Sequence, residues 1–201
     1  MAHPLALSHP AAVPDSNLLW RKLIVVIAAT VLMAIAAHVS VPLFFTPVPL
    51  TLQTFAVLFI GLAMGPRAAF AALALYLLEG AAGLPVFSPH GPGGIAQLLG
   101  STGGYLLSYP IAAALAGLLY QRRGGFARAA FSAAAASLVI LLAGSVWMAA
   151  FLHLDARRVV SMAILPFLPG DMLKVCAAAA AVTTAQAIRR ARPQPSSSNE
   201  L

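Results

Sequence analysis

Residues 129–152 read AAFSAAAASLVILLAGSVWMAAFL, an apolar run without a single ionisable side chain. A helix that crosses the hydrocarbon core of a bilayer needs about 20 predominantly apolar residues, and this run is long enough. Moving outward, Arg21-Lys22 open a second long run at 23–41. Shorter apolar runs occupy 50–64, 68–82 and 105–120, and a last one leads from Pro169-Gly170 to Ile188. The chain of 201 residues is 61% hydrophobic and 8% charged, with a mean hydropathy of +0.90. Soluble domains carry about 25% charged residues because a water-facing surface needs them. A chain this poor in charge is solvated largely by lipid. The reading is an all-α membrane protein with six transmembrane helices, at about 22–41, 49–64, 67–82, 103–121, 128–152 and 169–188. Residues 1–20 are expected to be a flexible cytoplasmic tail and 191–201 a disordered one, flanking a membrane domain over 21–190.

Charge gives the orientation. The formal net charge of +7 comes from single or paired cations between apolar runs, with no basic patch among polar residues. That argues against nucleic-acid binding and for the enrichment of Lys and Arg in cytoplasmic loops. Arg21, Lys22, Arg67, Arg122, Arg123, Arg128, Arg189, Arg190 and Arg192 fall on one side of an even number of spans, Arg157 and Arg158 on the other. The expectation is a multi-pass protein of the bacterial inner membrane with both termini in the cytoplasm. Cys176 stands alone in an apolar run, which excludes a disulfide framework and a thiolate metal site. His38, His90 and His153 have no ligand spacing. No HExxH, GxxxxGK or GxSxG string appears, so neither an ATPase nor a hydrolase is supported, and no catalytic residues, metal or cofactor are assigned.

Polar groups inside the apolar runs locate the function. Asp171 and Lys174 are three residues apart, on one face of the first turns of the last helix. The carboxylate suits a helix N-terminus, but a Lys one turn deeper costs about 2.5–3.5 kcal/mol in the membrane unless it is paired or meets a ligand. Gln53 is an amide at the start of the second run. Residues 83–104, rich in Gly and Pro, cannot form one regular helix. They read as a long outer loop over a pocket, with Gln97, Ser101, Thr102 and Tyr105 as hydrogen-bonding groups.

Several stretches resemble the BioY family, the substrate-binding S components of energy-coupling-factor (ECF) biotin transporters. They are Thr46-Pro-Val-Pro-Leu-Thr-Leu-Gln-Thr54, Gly80-Ala-Ala-Gly-Leu-Pro-Val-Phe87, Leu99-Gly-Ser-Thr-Gly-Gly-Tyr-Leu106 and Pro166-Phe-Leu-Pro-Gly-Asp-Met-Leu-Lys174. The resemblance covers roughly 21–188 and departs from the usual family residues at His38 and Ser101. It implies an S-component bundle with a biotin pocket near the outer face. Asp171 and Lys174 match the family's pocket motif, and the loop carrying Gly93, Gly94 and Thr102 to Tyr105 would line it. Phe87 and Tyr105 would contact the rings and tail. The resemblance also implies docking of a coupling membrane protein, with its ABC-type ATPases, on small residues of the first helix, where Ala28, Ala29 and Ala34 lie. The alternative reading is a biotin transporter working alone or as a homo-oligomer, with lipid its other partner.

Overall fold

The computed structural model describes residues 16–121 and 124–191. The apolar runs form helices because, away from water, a backbone must satisfy its own hydrogen bonds. In chain order the described elements are α1 (Ser16–His38), β1 (Ser40–Val41), β2 (Leu50–Thr51), α2 (Gln53–Met64), α3 (Pro66–Ala81) and α4 (Gly94–Leu98). They continue with α5 (Gly103–Tyr120), α6 (Phe126–Leu152), α7 (Ala156–Val159), a π-helical turn at Val160–Ile164, and α8 (Leu168–Ala191).

Stretches within α1 (Leu19–His38), α5 and α6 are long and apolar enough to cross a membrane. The pair Ala156–Ile164 and Leu168–Ala191, bent by 43°, makes a fourth if taken as one broken span. Length and composition therefore identify three or four spans where the sequence reading expected six. The difference lies in α2 and α3, whose 12 and 16 residues extend about 18 and 24 Å against a hydrocarbon core of roughly 30 Å.

Element ends follow local chemistry. α1 begins at Ser16, inside the stretch read as a tail, and stops at His38 rather than at 41. Val41 precedes Pro42 and is steered to extended backbone, pairing in β1 with β2 in the register Ser40↔Thr51 and Val41↔Leu50. This small antiparallel clip closes the Pro42–Pro49 segment. Gly65, with φ 83°, supplies the left-handed conformation that lets α3 start one residue after α2 ends. The 83–104 segment contains the short helix α4, and 153–167 is mostly helical. There Asp155 caps α7, its Oδ1 accepting from the Arg158 amide at 2.8 Å. Pro166 and Pro169 lack the N–H groups needed to carry that helix straight into α8. Arg122, Arg123, Arg192 and the expected tails at 1–15 and 192–201 lie outside the described residues.

At the centre is α5, which packs against α6, α3 and α2. Small residues set the approach. A Cβ at Gly117 would meet backbone of the α2–α3 turn, Gly65 C and Pro66 N at 2.7 Å and Gly61 O at 2.8 Å. A Cβ at Gly61 would lie 2.5 Å from the Ala113 carbonyl oxygen. The two backbones thus meet without side chains between them, the packing that small residues permit in a bilayer, where burial from water drives no association. On the other side of α5 the Tyr105 ring fills the space over Gly144 of α6. A Gly117→Leu substitution is expected to destabilise the bundle by about 1–3 kcal/mol or more, read as a lower thermal midpoint in detergent, whereas Leu118→Ala on the exposed face of the same helix should leave it nearly unchanged.

Candidate functional site

Three helices start around one cavity. α2 opens with Gln53 and Thr54, α5 follows Thr102 and carries Tyr105 and Tyr109, and α8 brings Asp171 and Lys174 in its first turns. The clip adds Val48, Pro49 and Thr51, the loop adds Ser88 and Gln97, and α6 contributes Ile140 and Leu141, with Phe167 from the bend before α8. The empty space between these side chains, open solvent at the mouth included, is about 560 Å³. The opposite ends of α2 and α8 carry Met64 and Arg189-Arg190, so the cavity sits at one end of the bundle.

Its charged pair is nearly buried. Lys174 Nζ donates to Asp171 Oδ1 at 3.2 Å, and the two side chains are 11% and 13% exposed. The Asp171 amide donates to the Phe167 carbonyl at 2.8 Å, fixing the first turn of α8. Around the pair the wall is aromatic and apolar. The rings of Tyr105 and Phe167 lie 6.2 Å apart and tilted by 45°, and the Tyr105 hydroxyl donates to the Ala163 carbonyl at 3.1 Å. The buried Ser88 hydroxyl has no protein partner among the described residues, and Tyr109, 4% exposed as a residue, lines the cavity without a side-chain hydrogen bond among them. Buried tyrosine hydroxyls usually have one, so Tyr109 leaves a hydrogen-bonding group unused in the wall.

Two polar clamps hold the other side. Gln53 Nε2 donates to the Tyr76 hydroxyl at 2.8 Å, and that hydroxyl donates to the Val86 carbonyl at 2.9 Å. The Thr51 hydroxyl donates to Gln53 Oε1 at 3.2 Å. The network ties the clip, α2 and α3 to the long loop. Gln97 Oε1 accepts from the Gly93 amide at 3.1 Å, while its Nε2 donates to the Ser88 carbonyl at 3.4 Å. Trp147 Nε1 donates to the Gly100 carbonyl at 2.8 Å, fastening the end of the loop to α6. The loop is therefore pinned over the cavity by buried side chains.

Of the residues expected at the site, Asp171, Lys174, Tyr105, Thr102 and Gln53 line this cavity. Gly93 and Gly94 do not. With φ of 71° and 59° they form the left-handed turn into α4 that brings Gln97 to the wall. Phe87 also stands off the cavity, packed edge-on against Tyr76 at 5.4 Å and seated against Gly80. Its contribution is to hold Tyr76, hence Gln53, in place. Glu79 lies outside the lining. On α1, Ala28 faces outward, Ala34 is half-buried, and Ala29, 6% exposed, packs into the bundle. Sequence reasoning did not single out Tyr109, Ser88, Phe167, Ile140 or Leu141, and gave little weight to Thr54. The four-residue spacing from Tyr105 to Tyr109 puts both on one helix face and is a signal for Tyr109. Ile140 and Leu141 sit in a run so uniformly apolar that nothing marks them.

Comparison with known proteins fits this geometry. The family model described as the BioY family matches residues 9–193. The protein named "Probable biotin transporter BioY" from Pyrococcus horikoshii is 38% identical over 148 residues, covering 73% of this chain and 85% of that one. The "Biotin transporter BioY" of Thermotoga maritima is 37% identical over 159 residues, covering 79% of this chain and 92% of its own. Among solved structures, the crystal structure of the S-component for biotin from an ECF-type ABC transporter superposes with a TM-score of 0.79. It covers 87% of this chain and 95% of that one at 21% sequence identity, so the two share a fold. With the family model spanning nearly the whole chain and these relatives aligned over most of their lengths, the chain belongs to the BioY family.

Proposed function

We propose that this chain captures biotin in the cavity at the head of α2, α5 and α8 and mediates its uptake, energised by separate ATPase and coupling subunits. The observation that carries the reading is the Asp171–Lys174 pair lining an otherwise aromatic and apolar cavity, in a chain whose relatives are named biotin transporters. Biotin presents neutral N–H and C=O groups on a ureido ring fused to a thiophane, and an apolar tail ending in a carboxylate. Asp171 accepts from the ureido N–H groups. Lys174 pairs with Asp171 and orients it, and the Tyr109 hydroxyl donates to the ureido carbonyl. Tyr105 and Phe167 pack on the rings, while Ser88 and Gln97 supply polar contacts from the loop side.

The chain catalyses no reaction in this reading. No nucleotide-binding motif is present in its sequence, and the similar crystal structure is a component of an ABC transporter, which supports external energy. Ala28, outward on α1, is the small residue of the first helix accessible to a coupling protein. The described cations support six spans with both termini cytoplasmic in the inner membrane, α2 and α3 being short spans. Arg21, Lys22, Arg67, Arg189 and Arg190 gather at the end away from the cavity, as cytoplasmic enrichment requires, so the cavity faces outward.

Direct titration of the purified protein with biotin tests the site. Asp171→Asn replaces the charged acceptor of the ureido N–H groups with a neutral amide, and a hydrogen bond to a charged group is worth about 1.5–3 kcal/mol. Affinity should fall by roughly ten- to a hundredfold. Tyr109→Phe removes one hydrogen bond, worth about 0.5–1.5 kcal/mol, so the affinity should drop by roughly two- to tenfold with helix content intact. Unchanged affinity in the Asp171 variant would remove Asp171 from the binding site. Labelled-biotin uptake in cells lacking their own transporter tests the energy source. Accumulation is expected only when the chain is expressed with an energising module, and accumulation by the chain alone would favour a solitary transporter.

A further inference from the structure

At the end of the bundle away from the cavity, Arg21 and Lys22 of α1 converge with Arg67 of α3 on an open cleft of about 710 Å³. Its floor is apolar, formed by Val25, Val26, Met64 and Ala68. All three cations are exposed, and none forms an ion pair among the described residues. The acidic group on α3 is Glu79, 12 residues along the helix from Arg67 and so about 18 Å away, beyond the roughly 8 Å screening length of physiological salt. The cleft therefore presents concentrated positive charge above an apolar floor. That floor continues into the outward stripe of α1, where Ile24, Val31 and Ile35 are 62%, 52% and 59% exposed. In a membrane-spanning helix that stripe meets acyl chains.

We infer that this cleft is a binding site for an anionic phospholipid. Arg21, Lys22 and Arg67 hold the phosphate, and one acyl chain lies along Val25 and Met64. The order of the groups selects the occupant. A soluble anion would use the cations and leave the apolar floor bare, and an acidic protein segment has no need of a floor that runs into the lipid-facing stripe. A headgroup with its chain fits both halves. The inference concerns a site at the other end of the bundle from the ligand cavity and stands whether or not biotin is the ligand there.

Native mass spectrometry of the full chain, released from nanodiscs of phosphatidylcholine mixed with phosphatidylglycerol, tests it. A retained phosphatidylglycerol adduct is expected, together with a higher thermal midpoint than in phosphatidylcholine alone. The variant Arg21→Gln/Lys22→Gln/Arg67→Gln should lose both. Each cation near the membrane surface is worth roughly fivefold in affinity, about a hundredfold for all three. Arg157→Gln/Arg158→Gln removes charge at the cavity end and should keep both. Should the triple variant fail to fold, Arg67→Gln alone is expected to weaken retention by about fivefold. The proposal is overturned if the cleft variant keeps the lipid, or if both variants lose it equally, which would show diffuse charge rather than a site. It is overturned equally if the cleft variant loses uptake with an energising module while retaining lipid, which would assign the cleft to an acidic segment of a partner protein.

Discussion

Every backbone N–H and C=O in a lipid-embedded chain needs a hydrogen bond from the protein itself, and the architecture follows from where this sequence cannot supply one by continuing a helix. Pro42, Pro47 and Pro49 interrupt the chain before α2, Gly and Pro interrupt it before α5, and Pro166 and Pro169 interrupt it before α8. These three interruptions come together at one end of the bundle, where irregular backbone is tolerated because it borders a cavity or is buried in protein. The β1–β2 clip, the Gln97 clamp and the Trp147–Gly100 hydrogen bond satisfy groups that a helix would have satisfied internally. The cavity is what the interruptions surround.

The opposite half of the bundle is regular and tight. Gly61 and Gly117 bring α2 and α5 into backbone contact, and Tyr120 links α5 to α8, its hydroxyl 3.0 Å from Gln186 Oε1. The short α2 serves both halves. Its last turns pack against α5, and because it starts late, Gln53 and Thr54 stand at the cavity wall. Close packing below and polar clamps above make an ordered cavity wall in which the Asp171–Lys174 pair has little freedom to turn away. A ligand that enters meets groups already ordered, so less of its binding energy goes into ordering them.

Charge divides the molecule along the same axis. Near the cavity the pair is internal and self-compensating, one carboxylate to one ammonium at 3.2 Å. At the other end the cations of α1, α3 and α8 are exposed and in excess among the described residues. The first arrangement suits recognition of a molecule with neutral polar groups, and the second suits orientation and contact with the membrane surface.

The sequence by itself determined the membrane class, the approximate positions of the long helices and the shared helix face of Asp171 and Lys174. Each is a local property: apolar length fixes a helix in lipid, and two residues three apart share a helix face wherever that helix goes. Family strings such as Pro166 to Lys174 added the S-component fold. Tertiary structure alone decided which side chains share the cavity. Phe87 ends one of these strings and Gly93 and Gly94 lie in the loop after it, yet all three act one layer back, shaping a turn and bracing Tyr76. Ile140 and Leu141 reach the wall from a run in which every residue reads alike, and Tyr109 arrives through the rotation of α5. The rotation of α1 likewise separates Ala28 from Ala29, adjacent in sequence but on the outer and inner faces of that helix. Composition carries no record of how a helix is turned about its axis, because lipid and a packed apolar interior accept the same side chains, and only contacts with neighbouring helices fix the turn.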